Sequence, residues 1–290
     1  MNTKTDRIST LSYFGGKSRI LEFVLGALQT SHRSYVEVFC GSAAVFLNKP
    51  KSPIETINDK DGRLVNFFRT LREHPEELIA QIELTPYSRQ EFITAAKESP
   101  DPIEDARRYF VRSLQSFAGH TNHENRGKSW RASITDSRNS KSSAVQKWRR
   151  KYAGLDAAIE RLLDAQIENR DFREIIRRYD TKDTLFYCDP PYLHTDRTGK
   201  KDYTHEMTMA DHFDLSEMLN NTKGKVAISG YDSSKMDQLY PATKWIKNYG
   251  PTRQSKLSKT KAGRECIWTN YQPGACLNLK IWNTSTSETD

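Results

Sequence analysis

The chain has 290 residues, 36% hydrophobic and 28% charged, which suits one large α/β domain or a core with one insertion and excludes a disordered chain. Its net charge of +8 points weakly to a polyanionic partner. No apolar run approaches the roughly 20 residues that span a bilayer, and the opening MNTKTDRISTLSYFGG lacks a signal-peptide core, so the default location is the cytoplasm.

In chain order, YFGGKSRI leads into a helix with Ile20, Phe23, Val24, Ala27 and Leu28 on one face. YVEVF at 35–39 is β-branched and aromatic and predicts a buried strand, ending in the tight turn Cys40-Gly41-Ser42-Ala43. ETIND at 55–59 predicts a second strand, followed by a helix carrying Leu64, Phe67, Phe68 and Leu71. Residues 75–118 read as helical in pieces, one of them opened by the capping signature Ser88-x-x-Glu91. Residues 119–145 are polar and weakly periodic and read as loop; helical pattern returns at 155–166. TLFYCD is a strand, followed by a polar loop and a helix from about 209 with Thr208 and Asp211 as a capping pair. KVAISGY, ECIWTNY and CLNLKIW are further strand candidates. Strand–helix alternation at both ends of a basic middle suggests one sheet domain, formed by 1–74 and 166–290, interrupted by an insertion at 75–165.

Positive charge is concentrated in two blocks. From Arg107 to Lys151 there are twelve Lys or Arg against Glu124 and Asp136, a net of +10. From Lys244 to Arg264 there are seven Lys or Arg and no acid. Two solvated basic faces would account for this. Yet Trp130, Trp148, Asn122, Asn125 and Ser129 are interleaved with the first block, and nucleic-acid surfaces mix cations for phosphates with polar groups for base edges in this way. Arg126, Lys128, Trp130, Arg131, Lys147 and Arg150 are the candidate DNA contacts there.

Four short segments carry chemistry. Asp189-Pro190-Pro191-Tyr192 follows a predicted strand, where open α/β sheets bind ligands. Two prolines stiffen the loop and leave their carbonyls as acceptors. Asp189 and the Pro190 carbonyl would then match the two donors of an exocyclic amine, with Tyr192 as a stacking face; the plain alternative is a strand-ending turn over a buried tyrosine. Glu37 to Ala43 forms a strand–turn–helix that brings backbone N–H groups to a ligand, though it is not G-x-G-x-x-G and could be an ordinary turn. Asp59, at the end of the second strand, suits ribose hydroxyls; Asp59 or Asp61 could equally be a helix N-cap. In Tyr13-Phe14-Gly15-Gly16-Lys17 the glycines permit close backbone approach and Lys17 could meet a carboxylate; a flexible turn is the alternative. The cysteines, Cys40, Cys188, Cys266 and Cys276, form no C-x-x-C pair and lack zinc spacing.

In this order the segments YFGGK, EVFCGSAAVF, INDKD and YCDPPY resemble the Dam-like (D12-class) family of DNA adenine N6-methyltransferases, in its alpha-group arrangement. Asp171-Phe172, SGYDS at 229–233 and ECIWTNY are similar to further family segments. Val38 stands where the family usually has proline and Ala43 where glycine is common. The resemblance implies a Rossmann-like, seven-stranded, mostly parallel sheet with helices on both faces and a mostly helical target-recognition insertion. It implies S-adenosylmethionine held by Tyr13, Lys17, Phe39, Gly41, Asp59, Asp171, Phe172 and Asp189, and a flipped adenine of double-stranded DNA at Asp189, Pro190, Pro191 and Tyr192.

That chemistry needs no metal, membrane or oligomer. The loop from Leu193 to Thr204, with Arg197, Lys200 and Lys201, is placed to close over the base or hold flanking phosphates. Two rivals remain at this point: an RNA-adenine or cytosine-N4 methyltransferase, and a non-catalytic DNA-binding protein on the same fold. Asp189 at the head of its segment favours adenine over cytosine N4.

Overall fold

The computed structural model of the protein describes residues 7–13, 15–116, 129–133, 137–138, 141–193, 205–251 and 264–274. After a short 3₁₀ turn at Lys17–Arg19 the elements are α1 (Leu21–Ala27), β1 (Ser34–Glu37), α2 (Ala44–Asn48), β2 (Ile54–Asn58) and α3 (Gly62–Glu73). Then come α4 (Pro75–Leu84), α5 (Arg89–Thr94), α6 (Pro102–Gln115), the two-residue strands β3 (Ser137–Arg138) and β4 (Lys141–Ser142), α7 (Ser143–Tyr152) and α8 (Leu155–Leu162). The chain closes with β5 (Ala165–Glu168), α9 (Phe172–Tyr179), β6 (Thr184–Cys188), α10 (Met209–Asn221), β7 (Lys225–Tyr231), α11 (Ser234–Leu239), β8 (Ile246–Tyr249) and β9 (Glu265–Thr269).

Seven strands form one sheet in the order β5-β2-β1-β6-β7-β9-β8. The first five are parallel; β9 runs antiparallel to both β7 and β8. From β1 the chain winds out to β2 and β5, then returns to β6 and winds the other way. The reversal leaves a crevice between β1 and β6 at the carboxyl edge, where doubly wound sheets place ligands. This is the Rossmann-like sheet of methyltransferases, as the sequence implied.

Side chains alternate across the sheet and both faces are covered, which is why the strands read as apolar runs. Tyr35, Leu185, Tyr187, Ala227 and Ile267 join one core, packed under α1, α2, α3, α6 and α8. Val36, Phe186, Cys188, Val226, Ile228 and Trp268 join the other, under α9, α10 and α11. The predicted helix faces are in place: Leu64, Phe67, Phe68 and Leu71 of α3 are buried, and Phe67 stacks on Phe110 of α6 with ring centroids 5.9 Å apart. Both capping readings hold, since Ser88 Oγ accepts from the Glu91 N–H at 3.0 Å and Thr208 with Asp211 closes a capping box.

Some elements differ from expectation. The helix expected over 155–166 stops at Leu162, and Ala165–Glu168 turns into edge strand β5. An edge strand buries only part of its length, so AQIE carries too little apolar pattern to announce itself. The stretch read as loop up to 145 gives way at Ser143 to α7, capped by Ser142. Trp148, grouped with the polar block, is a core residue of that helix and lies edge-on to Phe110 at 5.1 Å. CLNLKIW lies outside the described residues.

Among the described residues, no helix is long and apolar enough to cross a membrane. Cys40, Cys188 and Cys266 are buried free thiols.

Candidate active site

The carboxyl ends of β1, β2 and β6 open into a solvent-accessible cleft, the place where open α/β sheets bind ligands. Tyr13, Lys17, Phe39, Gly41, Asp59, Asp171, Phe172 and Asp189 all line it, as does Pro191. Pro190 and Tyr192 are buried beside it.

The wall after β1 is a backbone turn under strain. Gly41 has φ +47° and Ala43 φ +53°. A Cβ at Gly41 would stand 3.0 Å from the Tyr13 ring, so glycine is required both by conformation and by contact. Ala43 stands where the family more often has glycine. Its left-handed backbone costs about 1–2 kcal/mol.

Below this turn, Asn58 fastens three loops. Its Nδ2 donates to the Val38 carbonyl at 2.9 Å and the Arg170 carbonyl at 3.1 Å, and its Oδ1 accepts from the Arg170 N–H at 2.9 Å. The neighbouring Asp59 accepts from the Gly41 N–H at 2.9 Å and the Asp61 N–H at 3.0 Å. Burial pushes its carboxyl up to about 6 despite those two bonds. The capping alternative belongs to Asp61, whose carboxylate accepts from the Arg63 and Leu64 N–H groups at the start of α3. Asp59 therefore faces the cleft with lone pairs to spare.

Asp171 caps α9, accepting from the Arg173 N–H at 3.0 Å, and is ion-paired with Lys60 at 3.3 Å and Arg173 at 3.2 Å. The next residue, Phe172, meets Phe39 with centroids 5.7 Å apart, and the Arg173 guanidinium covers it at 4.3 Å. These rings line the same cleft as Asp59.

At the other end of the cleft, charges converge. Lys17 is only 5% exposed; its Nζ lies 2.8 Å from Asp189 Oδ1, 3.8 Å from Glu265 Oε2 and 4.7 Å from the centre of the Tyr192 ring. Tyr192 in turn lies edge-on to Tyr231 at 4.8 Å. Burial raises the Asp189 carboxyl above its usual range; Lys17 opposes the rise and Glu265 adds to it. Glu37, 2% exposed, accepts from the Tyr35 hydroxyl at 2.7 Å, and burial lifts its carboxyl to about 8, so it is mostly a neutral acid at pH 7.

Sequence reasoning missed Glu265 and did not single out Glu37. Glu265 opens β9, and because β9 runs antiparallel its first residue pairs with Tyr231 at the carboxyl end of β7. A rule that searches strand C-termini passes it over.

The basic blocks are partly spent on the fold. Arg107 and Arg108 are ion-paired with Glu91 and Glu104, and Arg112 is 1% exposed against the Phe92 ring. Trp130 is half-buried: it packs on Tyr87 and Arg89 and donates to Gln115 Oε1 at 3.2 Å. Arg131 and Lys147 are half-buried, and the Lys147 ammonium is held below its usual range by burial and by Arg131. Arg150 is exposed. In the second block, Lys247 is paired with Asp232 and Asp237. Arg126, Lys128, Arg197, Lys200 and Lys201 lie outside the described residues.

The model of the D12 class of N6 adenine-specific DNA methyltransferases matches residues 13–250. The chain is 26% identical to the modification methylase StsI of Streptococcus sanguinis over 93% of its own length and 44% of that protein. It is 25% identical to a DNA N-6-adenine-methyltransferase of Escherichia phage P1, over 80% of this chain and 31% of that one. It is 24% identical to the type II methyltransferase M1.LlaDCHI of Lactococcus lactis subsp. cremoris, over 89% and 93%. The chain thus spans less than half the length of the first two relatives and nearly all of the third. With the family model covering most of its length and the cleft at the sheet's switch point, the chain belongs to the D12 class of N6 adenine-specific DNA methyltransferases.

Proposed function

We propose that this protein methylates the exocyclic N6 of a flipped-out adenine in double-stranded DNA, with S-adenosylmethionine as donor. The observation that carries the reading is that Lys17 meets Asp189 and Tyr192 of the proline-stiffened loop, at one end of the cleft at the sheet's switch point.

The cleft fits the donor's parts. Asp59 offers a carboxylate to ribose hydroxyls, Phe39 backed by the buried Phe172 offers an apolar wall to an adenine ring, and the Gly41 turn lets the ligand approach the backbone. Asp171 supports that wall as the cap of α9. When bound, S-adenosylmethionine supplies a methyl group already activated by its sulfonium. What the protein must add is a better nucleophile. The adenine amine is weak because its lone pair is delocalised into the ring. Asp189 and the Pro190 carbonyl would accept its two N–H groups, localise that lone pair and stabilise the positive charge that develops on N6. Tyr192 would stack on the base, which must leave the duplex to reach Asp189. Incubating the protein with duplex DNA and labelled donor, then resolving the nucleosides by mass, tests the reading. Label in N6-methyladenine is expected; label in N4-methylcytosine, or none, overturns it.

Asp59→Ala is expected to weaken S-adenosylhomocysteine binding by about 1.5–3 kcal/mol, the range for a charged hydrogen bond, in calorimetric titration. Unchanged affinity returns Asp59 to the purely structural task of holding Gly41 and Asp61.

Target recognition is proposed for the 75–165 insertion, and within it for residues 107–151. Since Arg107, Arg108 and Arg112 are engaged internally, the exposed Arg149 and Arg150 of α7 and the sequence from 129 onward carry that proposal. Exchanging 129–151 for the matching region of a relative with another target should change which sites are methylated. An active chimera with unchanged sites moves recognition elsewhere, with Lys244 to Arg264 the next candidate.

A further inference from the structure

Lys17 poses a problem for the reaction proposed above. Methyl transfer makes N6 positive: as the nitrogen binds the methyl carbon, the carbon–sulfur electron pair stays on sulfur, and N6 carries the charge until it gives up a proton. A buried ammonium 2.8 Å from Asp189 opposes that charge and competes for the same carboxylate. Lys17 and Asp189 alone would make a neutral pair with little to offer a cation.

Glu265 changes the balance. Its carboxylate, 12% exposed, lies 3.8 Å from Lys17 Nζ on the side supplied by β9. One ammonium then faces two carboxylates, and the cluster is net negative. Among the described residues, Glu37 on β1 and Tyr187 and Cys188 on β6 also interact with Asp189, and burial raises all three; Asp59, His205 and Glu206 line the same cleft.

We propose that Glu265 is a positioning residue for methyl transfer: it shares the Lys17 ammonium with Asp189, so that this cation does not neutralise Asp189 alone, and it supplies the excess negative charge that the alkylated nitrogen needs. The inference rests on Asp189 being the amine acceptor. It reaches a residue at the head of ECIWTNY on the antiparallel strand, outside the four segments that hold most of the candidate cofactor and catalytic residues.

Glu265→Gln keeps shape and removes charge; Glu265→Asp keeps charge. Two readouts apply. In the unliganded protein, ¹³C-aspartate NMR follows the Asp189 carboxyl, assigned with Asp189→Asn. Because Glu265 raises this carboxyl, Glu265→Gln should lower its midpoint, and Glu265→Asp should leave it near wild type. In single-turnover methylation of duplex DNA, Glu265→Gln should lose about tenfold at the plateau, with its acid limb moved to lower pH, and Glu265→Asp should restore most of the rate. A purely structural role lowers the rate without moving either midpoint. An unmoved Asp189 midpoint, or a Glu265→Gln rate within twofold of wild type, overturns the proposal while the adenine reading stands. A wild-type protein that methylates no adenine overturns both.

Discussion

Asp189→Ala is expected to lower methyl transfer by about a thousandfold or more while DNA affinity stays within a few-fold of wild type. The side chain lines the cleft at the end of β6, and its oxygens would meet the amine that reacts. Removing it takes away the acceptor and leaves N6 with its lone pair in the ring. The fold should survive, because Lys17 retains Glu265 at 3.8 Å and the Gly15 carbonyl at 3.0 Å. Transfer and DNA binding measured side by side decide the matter. Activity above a tenth of wild type would sink the role given to Asp189.

Lys17→Met is expected to lower kcat/KM by about a hundredfold at pH 7 and to move the acid limb of the pH profile upward. Lys17 draws the Asp189 carboxyl down, while burial and Glu265 push it up. Without the ammonium, two largely buried carboxyl groups face each other, and Asp189 holds its proton to higher pH. A protonated Asp189 has lost acceptor capacity, so the rate recovers as pH rises. The direction is opposite to that expected for Glu265→Gln, and the pair of profiles reads the triad's charge from both sides. A limb that stays in place, or moves down, contradicts the arrangement.

Much of the fold was legible because the central strands are buried on both faces. TLFYC and KVAISGY need apolar residues at nearly every position, and that density marks them without ambiguity. The edge strands do not announce themselves. AQIE is only partly buried, and the IKNY stretch of β8 sits in a basic run with both end positions exposed. The cofactor candidates gathered in one cleft because each followed a parallel strand or a glycine turn, where the sheet's geometry sends them. Whether Asp59 or Asp61 capped α3 could not be settled by spacing, since either could reach the same N–H groups; the backbone geometry assigns the task to Asp61. Charge counting overstated the insertion's free surface. A sequence gives Arg112 a charge but not the Phe92 ring that buries it.

The described residues that line the cleft fall between Tyr13 and Asp61 and between Arg170 and Asp211, with none from 62 to 169. The excursion from β2 to β5 therefore leaves and re-enters the sheet without contributing a described wall residue. On the proposed assignment of target recognition to the insertion, target preference and donor binding are written in separate stretches of the gene, and one can be exchanged while the other is held. The separation has a seam. Lys151, at the end of α7, donates to the carbonyls of Ser9 and Leu11, in the segment that runs straight into Tyr13. Ser113 of α6 exchanges hydrogen bonds with the backbone of Ser12 in the same segment. A graft that replaces α7 must therefore carry this lysine with it, or retune the host's segment before Tyr13 to match.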